Sequence, residues 1–123
     1  MWHGDEPVTL DMLHKPILEE LTRVARRQET TNYSAIAPLA SLHMDNPAHR
    51  DEMRHILGKI STYEHRQGRP MLTAVVVHRQ DNIPGYGFFE LARHLGLLST
   101  GQDELAFFCR EVARVHTAWT SPR

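Results

Sequence analysis

His78 and Arg79 stand side by side, with Asp81 two residues further on. A histidine next to a carboxylate can carry protons or hold a metal ion near neutral pH. Eight more histidines, at 3, 14, 43, 49, 55, 65, 94 and 116, are spread along the chain. They form no tag-like run, and no pair has the His-Glu-x-x-His spacing of a zinc protease. His49, His55 and His65 fall in one expected helix, but 55 and 65 are too far apart to share a site and read as solvated. Cys109 is the only cysteine, which excludes an intramolecular disulfide and a four-cysteine zinc site. Its place beside Phe108 on the apolar stripe of the last expected helix predicts a buried, inert thiol. No Ser-His-Asp or Cys-His signature stands out, so no catalytic residue, metal ligand or cofactor is assigned. A metal-dependent nuclease built on His78, Asp81 and a helix histidine is the enzymatic alternative.

A second chemistry is phosphate binding. From Pro47 to Gln80 there are six Lys or Arg (Arg50, Arg54, Lys59, Arg66, Arg69, Arg79) against three acids, a local +3. Residues 1–46 carry −3 and residues 81–123 carry −1. Positive charge is therefore concentrated on one helix and the segment after it, as phosphate contact requires. The competing reading is a solvated helix face laced by pairs such as Asp51–Arg54 and Asp51–His55. The net charge of −1 excludes a uniformly basic nucleic-acid binder but not a local basic face. The turn "DNIPGYGFF" lacks both Gly-x-Gly-x-x-Gly and the Lys-Ser/Thr of a phosphate loop. Asn82 and Tyr86 in it are candidates for ligand contact, and the bland alternative is a tight connection. Glu64 falls close to the apolar face of its helix. It either pairs with Arg69 or reaches solvent at the helix end.

These residues need elements to hold them. Pro16 to Gln28 reads as a helix, with Ile17, Leu18, Leu21, Val24 and Ala25 making an apolar stripe. Asn32 caps a short helix over Tyr33 to Leu42, which Pro38 ends or kinks. Asn46 and Pro47 open a long helix running to about His65, closed by Gly68. Its apolar face carries Met53, Ile56, Leu57 and Ile60. Asp51, Arg54, His55, Lys59, Thr62 and Arg66 lie around the other side. Met71 to His78 reads as a strand covered on both faces. It needs a partner, which Phe88-Phe89 or the segment before Pro16 could supply. Phe88 and Phe89 lead into a helix that stops at Gly96. Thr100 and Asp103 resemble a capping start for a last helix from about Asp103 to Trp119, with Leu105, Phe108, Cys109, Val112 and Trp119 near one stripe.

At 123 residues, with 41% hydrophobic and 24% charged residues, the chain fits one ordinary globular domain. The expectation is a loose arm over residues 1–15 and a single domain over 16–123. The fold class is α+β, mainly helical and winged-helix-like, with a small β-hairpin or short sheet. No apolar run approaches the roughly 20 residues of a membrane span. "MWHGDEPVTL" has neither the basic nor the apolar part of a secretory signal. A reducing cytoplasm is the expected compartment, and the oligomeric state is open.

"YSAIAPLASLHMDNPAHRDEMRHILGKI", followed by a segment ending in "VVVHRQDNIPGYG", resembles the winged-helix domain of DNA alkyltransferases and alkyltransferase-like proteins. The matching positions are Tyr33, Arg50, His78, Arg79 and Gly85 to Gly87, and the match covers about half the chain. The acceptor thiol of that family lies in a Pro-Cys-His-Arg motif, and here Val76 and Val77 stand before His78-Arg79. The resemblance thus implies a non-catalytic member. The whole pattern also resembles small bacterial and phage-type accessory proteins, which supplies no chemistry. The expected function is a non-enzymatic domain that binds nucleic acid, or a nucleic-acid-handling protein. Its contacts are the 47–66 helix and the 78–87 turn, through Arg50, Arg54, Lys59, Arg66, Arg69, Arg79, Asn82 and Tyr86. The alternative from a different class is a protein-interaction module, a phage or defence accessory protein.

Overall fold

The computed structural model describes residues 7–120. It is mostly helical, with one two-stranded parallel sheet. Five helices and two strands follow one another as α1 (Lys15–Arg26), β1 (Thr31–Asn32), α2 (Tyr33–Ile36), α3 (Pro47–Arg66), β2 (Val76–Val77), α4 (Tyr86–His94) and α5 (Glu104–Thr120). A 3₁₀ turn precedes α1 at Leu10–Met12, another continues α2 at Ala37–Ala40, and a third leads into β2 at Leu72–Val75. Among the described residues no helix is long and apolar enough to cross a membrane.

Local chemistry explains the helix starts. Asn46 Oδ1 accepts the N–H groups of Ala48 and His49, and Pro47 fills the first helical position, where no donor is needed. Asn32 Oδ1 accepts from Ala35 and starts α2, which tightens into the 3₁₀ turn at Pro38. α5 is capped by Asp103, whose Oδ1 accepts from Leu105 and Ala106, and no capping bond from Thr100 takes part. Ile17, Leu21, Val24 and Ala25 of α1 face the core, with Leu18 half-buried beside them.

The core is organised around the chain from Pro70 to Val77, where every residue is buried. α1, α3 and α5 all pack on its 3₁₀ turn. The expected strand over Met71–His78 is therefore corrected to a 3₁₀ turn followed by two strand residues. A continuous apolar run signals burial on all sides, and burial alone does not choose between the two conformations. The partner of β2 is β1, in parallel, with Thr31 opposite Val76 and Asn32 opposite Val77. Neither expected partner takes that place, because Phe88 and Phe89 lie inside α4 and the described residues before Pro16 form a 3₁₀ turn and no strand. Of the expected 1–15 arm, residues 1–6 lie outside the described residues, and Leu13 is buried against the core.

A buried, irregular segment must still satisfy its backbone polar groups. The N–H of Met71 donates to Glu111 Oε2 of α5 at 2.8 Å. The N–H of Thr73 donates to Ser61 Oγ of α3 at 3.2 Å, and the two hydroxyls lie 2.6 Å apart. Glu111 is thus a core residue, its second oxygen held by Arg114 at 2.8 Å. This turns α5 away from its expected stripe. Phe107, Phe108, Glu111 and Val115 face inward, while Leu105 and Cys109 are exposed. The expectation of a buried thiol is overturned by this rotation.

Of the two readings of Glu64, the pair with Arg69 is the one the structure shows. Glu64 does not reach solvent but is 2% exposed, in a two-pronged pair with Arg69 at 2.8 Å for each contact. Thr62, expected on the outer face of α3, is buried.

Glu111→Leu keeps the volume but leaves the Met71 N–H unpaired in the core. It should lower unfolding free energy by about 2 kcal/mol, read by urea denaturation. An unchanged midpoint would show that the carboxylate does not anchor the segment. Exposure of Cys109 predicts that a thiol reagent modifies the native protein at nearly the rate of the unfolded chain. A strongly retarded rate would contradict the α5 register.

Candidate nucleic-acid interface

A cavity of about 370 Å³ opens where α2, the N-terminal half of α3, the end of β2 and the start of α4 meet. Its apolar part is formed by Met44, Met53, Leu57, Phe88 and Leu91. Its polar part is formed by Asn32, Tyr33, Arg50, Arg54, His78, Arg79 and Gln80. Among the described residues no Asp or Glu lines it. Volume and lining both fall within the ordinary range for a ligand site.

Each polar side chain is placed by an identifiable cause. Arg50 and Arg54 are one helical turn apart at the edge of α3 and reach the same side. Arg50 Nη1 donates to the carbonyl of Met44 at 2.9 Å, holding the loop before α3 against the cavity. Arg54 donates to Asp51 at 2.6 Å and lies over the Tyr86 ring, its guanidinium carbon 5.7 Å from the ring centre. Gly87 leaves room for that placement, since a Cβ there would come within 3.2 Å of Arg54 Cγ and Cδ.

On the opposite wall the Tyr33 ring packs against His78, with centroids 4.7 Å apart. Tyr33 Oη accepts the N–H of Gly85 at 2.7 Å. At Gly85 a Cβ would approach both His78 Nε2 and Tyr33 Oη to 3.2 Å, so any larger residue would crowd these two side chains. Burial pushes the Tyr33 phenol above its ordinary value, and nearby Asp81 adds to the rise. The Gly85 hydrogen bond and the Arg54 charge pull the other way without reversing it.

The eight expected contact residues do not form one surface. Arg50, Arg54, Arg79 and Tyr86 come together at the cavity. Asn82 sits on the adjoining exposed turn, in a left-handed conformation with φ of 59°, its N–H donating to the His78 carbonyl. Lys59 and Arg66 lie on the outward face of α3, together with Glu52 and His55, roughly 120–180° around the helix from Arg50 and Arg54. Arg69 is committed elsewhere: it neutralises Glu64 and stacks on Trp119, 5.9 Å from the ring centre, with Arg26 also over that ring at 5.4 Å. His78 and Asp81 are separated in role. His78 faces Tyr33, while Asp81 Oδ1 accepts the N–H of Ile83. Among the described residues no three His, Cys, Asp or Glu are grouped closely enough to hold a metal ion.

Of the residues that shape the cavity, Met44, Gly87 and the Tyr33–Gly85 contact escape a reading of charge and periodicity. The last of these joins positions 52 apart in sequence.

A neutral phenol favoured by folding stabilises the protein fully below the ordinary tyrosine value near 10. That contribution is lost as pH rises through the higher folded-state value. Alkaline titration followed by tyrosinate absorbance should show a component above the ordinary range that Tyr33→Phe removes. If the titration curve of the variant differs only by an ordinary tyrosine, the buried placement of the hydroxyl is wrong.

Comparison of the chain with protein-family models, with curated proteins and with solved structures finds no match to any of them.

Proposed function

We propose that this is a non-enzymatic nucleic-acid-binding domain whose contact surface is the cavity and its rim. The observation that carries the reading is the convergence of Arg50, Arg54 and Arg79 on a concave site that, among the described residues, no carboxylate lines, in a chain of net charge −1. Positive charge gathered at one place against a near-neutral background is what backbone phosphates recognise. Arg50 and Arg79 contact phosphates, and Arg54 divides its charge between Asp51 and the Tyr86 ring. The helices from α2 to α4 are read as a winged-helix-like unit, with the turn between β2 and α4 in the place of the wing. The resemblance to alkyltransferase-like proteins supports the same reading through Tyr33, Arg50, His78, Arg79 and Gly85 to Gly87. Val77 stands where that family carries its acceptor cysteine, so no alkyl group is taken up there.

The test is fluorescence anisotropy with short labelled single-stranded and duplex DNA between about 50 and 200 mM salt. The wild-type protein should bind one or both forms and weaken steeply with salt. Arg50→Ala combined with Arg79→Ala should lower affinity and reduce the slope of log K against log salt by roughly 2. Lys59→Ala combined with Arg66→Ala, on the outer face, should leave the slope nearly as it was. A slope that responds equally to both pairs would move the contact surface off the cavity.

A further inference from the structure

Given nucleic-acid binding at the cavity, we propose that the ligand is an unpaired strand, one of whose bases stacks on Tyr86. This rests on the proposed nucleic-acid function and names the form of nucleic acid that the same site takes.

Tyr86 opens α4 at the cavity rim and is 61% exposed, although it is a large ring with apolar area to lose. It is not loosely placed. Arg54 lies over the ring at 5.7 Å and is itself fixed by Asp51 at 2.6 Å, against the bare backbone of Gly87. The result is an aromatic face oriented beside a cation at the mouth of a basic cavity. Stacking on such a platform needs a free base face, and in a duplex each base face is covered by its neighbour. The apolar floor formed by Met53, Leu57, Phe88 and Leu91 is likewise suited to a base face and has nothing to offer a phosphate.

The surface that a duplex groove would require is not favourable. A groove-reading α3 would present its outward face, where Glu52 stands with Lys59 and Arg66, while Asp51 lies between the two faces and pairs with Arg54. The carboxylate of Glu52, near the leading end of that face, would meet backbone phosphates. Arg50 and Arg54 lie instead at the edge of α3, turned toward the concavity, and Arg79 lines it from the end of β2.

Three labelled probes separate the contributions: a short mixed-sequence single-stranded DNA, the duplex of that sequence, and a strand of equal length with abasic sites, which keeps the phosphates and lacks the bases. The native protein should bind the single strand about tenfold or more tightly over the duplex and over the abasic strand. Tyr86→Ala should remove on the order of tenfold of the single-strand affinity and leave the salt slope unchanged, since no cation is lost. Tyr86→Phe should bind as the native protein does. The residue is exposed, and circular dichroism checks that both variants remain folded. Duplex binding equal to or tighter than single-strand binding overturns the proposal while leaving the nucleic-acid reading intact. Normal single-strand binding by Tyr86→Ala overturns it in the same way. Absence of binding to all three probes overturns the nucleic-acid reading itself, and the proposal with it.

Discussion

The chain from Pro70 to Val77 passes through the middle of the protein with helices on several sides and a regular hydrogen-bonding partner only at its last two residues. Buried peptide groups without partners are costly, and the rest of the structure is arranged to supply them. α5 turns a glutamate inward to accept from Met71, and α3 turns in Ser61 to accept from Thr73. Once those two side chains are committed, the rotation of both helices about their axes is settled. α5 then exposes Cys109 and Leu105, and α3 turns Arg50 and Arg54 toward the concave side.

The same constraint explains the unusual ionic groups of the interior. Glu64 and Glu111 are both 2% exposed at the side chain, yet each has an arginine from the edge of the core, Arg69 or Arg114, whose own charge remains partly in water. Holding one partner of each pair at the surface lessens the desolvation that makes a fully buried ion pair expensive. Four of the six basic residues of the middle third are thereby divided between two tasks. Arg69 closes the core, while Arg50, Arg54 and Arg79 remain for the cavity.

How much of this is legible in the sequence depends on range. The start of α3 is written in Asn46-Pro47, and the inward stripe of α1 in the spacing of Ile17, Leu21 and Val24. Both are set by residues within a turn or two of one another. The segment over Met71–His78 and the inward face of α5 depart from expectation for one reason. Their geometry depends on a bond between Met71 and Glu111, 40 positions apart, and a glutamate in an amphipathic helix reads as solvent-facing. At the site, the one-turn spacing of Arg50 and Arg54 is local and visible. The separation of Lys59 and Arg66 from them follows from the same helical period and is readable in principle. The seating of Gly85 on Tyr33 is not, because nothing near either residue announces the other.

The short parallel pairing of β1 with β2 has a kinetic meaning. It clips Thr31 and Asn32 to Val76 and Val77, and so brings the wall that begins at Tyr33 against the wall that ends at His78 and Arg79. Contacts between segments this distant form only after the intervening chain has been ordered, so loop-closure entropy opposes them throughout early folding. α1 and α3 can develop as local helices long before the concavity exists. The cavity is therefore assembled together with the burial of the central segment, and any opening of the molecule that parts those two strands dissolves it.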